Sequence, residues 1–371
     1  APRGKMRALR RLPGAPRPWA RCSTMLRNAR ATLLATHQIG CSELVKNIEL
    51  VAEQFPGDED MWVRYEARSR ALLPELRPRE LVRVLLALQR CRRACPPLLQ
   101  DVEEILARPG AMEQWHPVDL AGVARALSKH ACVNPEVWAQ ILQTATSEKM
   151  RNWLNPRQVA QILLGVLRAE ELIEEKGLAQ ADASLLLLLA ASRRLGRASP
   201  PDIVALTSCL ALAPLADRAA PEFLPALVEA LPSHIFRIPE AGLCRMLAAL
   251  RMLVQATTGC GPVFQEVVGA VSGELAVRAG RGGLSEPQVL DTLSHMVFFR
   301  EHHILIREDC ATQVARALWK QVPVLELSEL ERAEAVATEM RRWEEPELKQ
   351  VAEDVLVECG ETRKCLARVQ E

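Results

Sequence analysis

A single tyrosine, Tyr65, stands in 371 residues, and aromatic side chains make up only 4% of the chain. No stretch alternates β-branched and polar residues over the length of a strand, so nothing in the sequence supports a sheet. Long apolar runs are missing as well. The richest, Leu185 to Ala191, falls far short of the ~20 residues that a membrane-spanning helix needs, and is expected inside a buried helix. No membrane insertion is expected. The eleven cysteines contain no CxxC pair, which argues against a disulfide framework and for a reducing compartment. Cys91 and Cys95 with His116 or His130 match no standard zinc spacing, and His302 and His303 near Asp309 and Cys310 read as a solvated loop. Gly280-Arg-Gly-Gly283 lacks the Lys-Ser/Thr that a phosphate loop requires and reads as a linker. No nucleophile and base are spaced for catalysis. The expectation is a non-enzymatic protein with no catalytic residue, no metal and no cofactor.

What the chain does have is a segment of about a dozen residues that returns at a nearly fixed interval. Its clearest copies are Leu76 to Leu88, Trp115 to Leu127 and Leu154 to Val166, whose prolines Pro78, Pro117 and Pro156 are 39 residues apart. With the proline slot as anchor, fainter copies stand at Cys41, Pro200, Glu240, Glu286 and Leu327. Each slot has a physical reason. Proline is tolerated in the first helical turn, where its missing N–H would find no intrahelical partner. Two residues later comes an acid or amide in most copies (Glu43, Glu80, Asp119, Gln158, Asp202, Gln288, Glu329), suited to cap free N–H groups at the positive end of a helix. Apolar residues fall three, seven and ten positions after the anchor, as in Leu81, Leu85 and Leu88, which is one face of an α-helix.

Nine positions after the anchor the residue is usually small (Ala87, Ala126, Gly165, Cys209), which lets a neighbouring helix approach. A second helix is announced further on by Pro97, Pro135, Pro262 and Pro346, with Trp62 and Trp138 inside it. The pattern predicts an all-α protein: a right-handed α-solenoid of about eight helix-turn-helix repeats of ~39 residues, read as one continuous array over residues 39–340. Residues 341–371 read as an acidic C-terminal capping helix.

The first 38 residues differ from the rest. They hold nine basic residues and no Asp or Glu, the pattern of an organellar targeting segment, with the mitochondrial matrix as the expected address and a plastid as the other candidate. Of the 47 Lys and Arg, 38 therefore remain against 46 Asp and Glu, so the repeats and the C-terminal region carry a formal charge of −8. Generic nucleic-acid affinity feeds on excess cations, so any such affinity must come from local arrangement.

One arrangement offers itself. Twelve positions after the anchor, where the first helix is expected to end, stand Arg90, Lys129 and Arg168, with Arg251 close to the equivalent place. One cation per repeat would make a row suited to a phosphate backbone. Arg83, Arg157 and Gln161 add polar reach on the exposed faces of first helices. The competing explanation is that cations at helix C-termini merely offset the dipole and cap free carbonyls.

The repeat, with its Leu-x-Pro-x-Glu-Leu-x-x-Val-Leu-x-Ala-Leu opening helix at Leu76 to Leu88, resembles the octotricopeptide and heptatricopeptide class of organellar α-solenoids. The likeness covers about residues 39–340. The proteins of that class often carry a RAP domain, and none is recognisable after residue 326. The resemblance implies binding of organellar transcripts or ribosomal RNA in RNA processing, stability, translation or mitoribosome assembly. The RNA-contacting residues expected on this chain are Arg83, Arg90, Lys129, Arg157, Gln161 and Arg168. The alternative is a protein-binding scaffold, or an accessory subunit of a mitochondrial ribosome or respiratory complex, taking its partner along a concave face.

Overall fold

The computed structural model describes residues 38–173, 181–212, 216–256 and 261–370. The expected targeting segment lies outside them except for Gln38. Among the described residues there is no strand; α-helices joined by turns and short 3-10 segments account for the regular structure.

Two compact units meet in sequence at Glu104 and Ile105. In the first, α1 (Cys41–Gln54), α2 (Glu59–Leu72), α3 (Pro78–Arg90) and the start of α4 (Pro96–Leu106) form two helical hairpins. First helix α1 packs on α2 and on α3, and Arg70 of α2 donates to Asp101 of α4 at 2.6 Å.

The second unit continues the alternation. Its first helices are α5 (Pro117–Lys129), α8 (Pro156–Ile173), α10 (Pro200–Leu212), α12 (Glu240–Ala256), α14 (Glu286–Glu301) and α16 (Leu327–Met340). Its second helices are α6 (Pro135–Thr146), α9 (Ala181–Ser192), α11 (Ala216–His234), α13 (Pro262–Gly280), α15 (Glu308–Gln321) and α17 (Pro346–Gln370), with the six-residue α7 (Glu148–Trp153) after α6. Each first helix packs on the next first helix, and each second helix on the next second helix, so the unit has two helical layers. Hairpins of this kind cannot cover their own apolar faces and do so against their neighbours.

The repeat pattern explains these elements residue by residue. All eight anchors open a helix. The apolar slots are closed: Leu44, Leu85, Val166, Leu243, Val289, Leu293 and Met296 are at most 1% exposed, each burial contributing about 1.5–3 kcal/mol. The capping residues cap. Glu80 accepts from the Arg77 N–H, Gln158 from Asn155, Asp202 from Ser199, Gln288 from Ser285 and Glu329 from Glu326. Trp62 and Trp138 are buried, and each indole N–H donates to the carbonyl six residues upstream, Pro56 and Cys132 respectively.

One device escaped the sequence pattern. The carbonyl two residues before an anchor recurs as an acceptor for a side chain from the second helix, or its end, of the same hairpin. Arg68 reaches Ile39, Arg194 reaches Leu154, Arg278 reaches Ile238 and Gln321 reaches Leu284, at 2.6, 2.6, 2.7 and 3.1 Å. These carbonyls lie beside the helix start, outside its hydrogen-bond ladder, so leaving one buried without a partner would cost about 1–3 kcal/mol.

The turns closing four helices share another feature. Arg92, Ala131, Gly282 and His303 have φ of 52°, 54°, 73° and 58°, and the N–H after each returns to the carbonyl five residues back: Arg93 to Leu88, Cys132 to Leu127, Gly283 to Arg278 and Ile304 to Phe299. Left-handed backbone favours glycine, and three of the four carry a Cβ. Ala131→Gly is therefore expected to stabilise the protein by about 0.5–1 kcal/mol in chemical denaturation. No gain in midpoint would remove the strain assigned to this turn.

Candidate functional site

Three of the six residues singled out in the sequence come together in the second unit. Lys129 of α5 and Gln161 and Arg168 of α8 line a cleft of about 600 Å³ that also takes in Arg125, Leu164, Glu171 and Leu212. Arg125, Lys129 and Arg168 are exposed. Neither Arg125 nor Arg168 is held in an ion pair among the described residues. Leu164 and Leu212, each 38% exposed, give the cleft an apolar side, and Glu171 sets one carboxylate against the three cations.

Arg125 was missed in the sequence, although a signal existed. It precedes Lys129 by four residues, hence by one turn on the same helix face. The two lie eight and twelve positions after their anchor, and so do Leu164 and Arg168 on the neighbouring helix.

The expectation that the row marks helix ends needs correction. Arg90 and Lys129 are the last residues of α3 and α5, but α8 runs on to Ile173 and α12 to Ala256. Arg168 and Arg251 therefore sit inside their helices, because these two first helices are longer than those of the shorter repeats. The dipole argument accounts for Arg90 and Lys129 and leaves Arg168 unexplained, since the effect is confined to the last turn. Arg251 has its own use: its guanidinium lies 4.4 Å from the centre of the Phe298 ring, which stacks on His302 at 4.0 Å.

The remaining candidates lie elsewhere. Arg83 is in the first unit and bridges to Glu49 of α1 through contacts of 2.9 and 2.5 Å. That hydrogen bond raises the guanidinium's pKa and lowers that of the Glu49 carboxyl. Arg90, in the same unit, is exposed. Arg157 is exposed on the first turn of α8, eleven residues and so roughly 16 Å of helix from Arg168.

Five residues after the anchor, Arg332 of α16 pairs with Asp291 of α14 at 2.6 Å, much as Arg83 engages the preceding first helix. Beside that pair, His295 of α14 occupies the slot nine after the anchor, which is usually small in the other repeats. Its Nδ1 is buried without a hydrogen bond. Burial first, and then the Arg251 and Arg332 charges against the opposing pull of Asp291, hold its pKa down at about 4. Because this value is below the ~6.5 of an unfolded histidine, the unfolded chain binds the proton more tightly. The contribution is intact above pH ~6.5 and is lost as pH falls towards 4, by about 2 kcal/mol between pH 7 and 5. His295→Phe should flatten that part of the stability profile in urea denaturation, and an unchanged slope would refute the assignment.

No cluster of three or more His, Cys, Asp or Glu placed to hold a metal ion occurs among the described residues. Burial pushes the Cys95 thiol up to about 12 and that of Cys359 to about 11, so both behave as small core side chains.

The fold and this cleft define an all-α helical-hairpin repeat protein with a local basic surface on its first-helix layer. No protein-family model matches the chain, and no curated protein matches it.

Proposed function

We propose that this protein binds RNA in an organelle, in the mitochondrial matrix in the first instance, and catalyses no reaction there. The reading follows the resemblance of its repeat to the octotricopeptide class, with a role in RNA processing, stability, translation or mitoribosome assembly. The observation that supports it best is the α5–α8 cleft, where Arg125, Lys129 and Arg168 meet beside Gln161 although the chain outside its basic leader is acidic. Helix-dipole compensation does not require Arg168, and a phosphate backbone would use it.

Affinity in this reading comes from phosphate neutralisation, so it falls steeply with salt, and Gln161 supplies a neutral hydrogen-bonding group beside it. The pairing of Arg83 with Glu49 and of Arg332 with Asp291 ties these side chains to the preceding first helix of the same chain, at the position where a base reader would stand. Sequence-specific reading along the whole array is accordingly not part of the proposal. Crosslinking the protein in organelle extract and treating the product with RNase tests it: label that RNase leaves in place overturns the assignment.

A protein ligand is the second reading. It draws on exposed apolar side chains in the second unit, Phe236 at 75%, Leu305 at 76% and Val324 at 69%, which a scaffold would offer to a partner.

A further inference from the structure

The second unit holds another group of cations, at the turn from α9 to α10. Arg193, Arg194 and Arg197 line a cleft of about 630 Å³ with Ser192, Gly196 and, from α11, Ala226, Glu229 and Ala230. It shares no residue with the α5–α8 cleft.

The fold needs only part of this turn. Four hairpins close on a three-residue 3-10 segment whose first residue is a buried apolar plug: Leu73, Leu195, Ile235 and Val322, all at most 7% exposed. The residue before the plug carries the carbonyl contact in two of them, Arg194 to Leu154 and Gln321 to Leu284. Leu195 and Arg194 thus have structural work, and Arg194 is fixed by a second bond to the Asn152 carbonyl at 2.7 Å.

Arg193 and Arg197 have none. The corresponding residues in the other three turns are Ala71, Ser233 and Lys320, and Glu75, Arg237 and Val324, so the architecture does not call for arginine at both places. Both side chains are exposed, and neither has a hydrogen bond or ion pair among the described residues. Between them, Gly196 would place an added Cβ in open space, so the backbone there can be approached closely. The small side chains of Ala226 and Ala230 keep the opposite wall low.

We propose that Arg193 and Arg197 bind the terminal phosphate of a phosphomonoester in this cleft. Two guanidinium forks on a short, pinned turn match the oxygens of a dianionic phosphate bidentately. The volume falls within the range of small-ligand sites. Glu229 stands as an acceptor for a hydroxyl or amine on the ligand and as a repulsive group towards a second phosphate in the cleft, which favours a terminal monophosphate over a di- or triphosphate.

The test is calorimetric titration of the full chain with adenosine 5′-monophosphate, with adenosine as the uncharged control. The monophosphate is expected to bind and adenosine not. Arg193→Ala with Arg197→Ala is expected to lower the affinity at least about tenfold while leaving the melting temperature unchanged. Lys129→Glu with Arg168→Glu should leave this binding intact, which separates the site from the RNA reading. A 5′-phosphorylated oligoribonucleotide that competes where its 5′-hydroxyl form does not identifies an RNA end as the source, and absence of that competition identifies a free metabolite. Equal heats for monophosphate and adenosine, or a double variant that binds as tightly as the parent, would overturn the site.

Discussion

Lys129→Glu combined with Arg168→Glu is expected to weaken RNA binding by about 10–100-fold at low salt and to make its dependence on salt shallower by about two phosphate contacts. Both residues line the same cleft, so reversing them turns an attractive surface into one that repels a polyanion beside Glu171. Both are exposed, and exposed charges contribute little to stability, so the melting temperature should hold. Arg157→Glu is the internal control, because it reverses a cation at the far end of α8, outside the cleft, and its loss is compared with that of the cleft variant per reversed charge. Equilibrium binding across a salt series measures all three proteins. Equal losses per reversed charge in the control and the cleft variant would reduce the effect to bulk electrostatics and remove the cleft from the interface.

The second large effect is in the core. Gly165 of α8 faces the fully buried Trp138 of α6, and a Cβ at this position would stand 3.0 Å from the outer ring carbons of the indole and 3.2 Å from the Ala124 carbonyl. Trp138 has nowhere to retreat, since its N–H is fixed to Cys132. Gly165→Val should therefore cost about 2–3 kcal/mol through overpacking, despite the better helix propensity of valine. Trp138→Ala, which empties the same site, should cost about 3–5 kcal/mol. The pair is coupled. A phenylalanine at 138 lacks the outer ring, so Gly165→Ala in that background should lose the part of its steric penalty that the indole imposes and keep only the Ala124 carbonyl contact, which makes it more favourable there than it is alone. Additive free energies in this double-mutant cycle would contradict the close approach.

Much of this architecture was legible in the sequence because the repeat exposes its own constraints. Pro78, Pro117 and Pro156 mark helix starts by what proline cannot donate, Glu80 and Gln158 mark them by what they accept, and Leu81, Leu85 and Leu88 mark the face that must be covered. The small-residue slot was equally readable at Gly165. These are local rules, each satisfied within a turn or two of helix. The site was legible only in part. Lys129 and Arg168 meet as the repeat register implied and Gln161 joins them from the polar face of α8, while Arg125 went unnoticed because a single cation on an exposed face has no local consequence. Arg83 looked available until Glu49, 34 residues upstream, was found against it.

The sequence by itself determined that the chain is helical, where the first helices begin and which face of each is buried, because periodicity and capping act over distances shorter than one helix. The tertiary structure alone decided that α8 and α12 run past the place where their cations stand, that Arg68, Arg194, Arg278 and Gln321 return to the head of their own hairpin, and which arginines are ion-paired and which are not. Those outcomes depend on groups some 30 to 40 residues apart in sequence, brought within hydrogen-bonding distance only when the apolar faces close on one another.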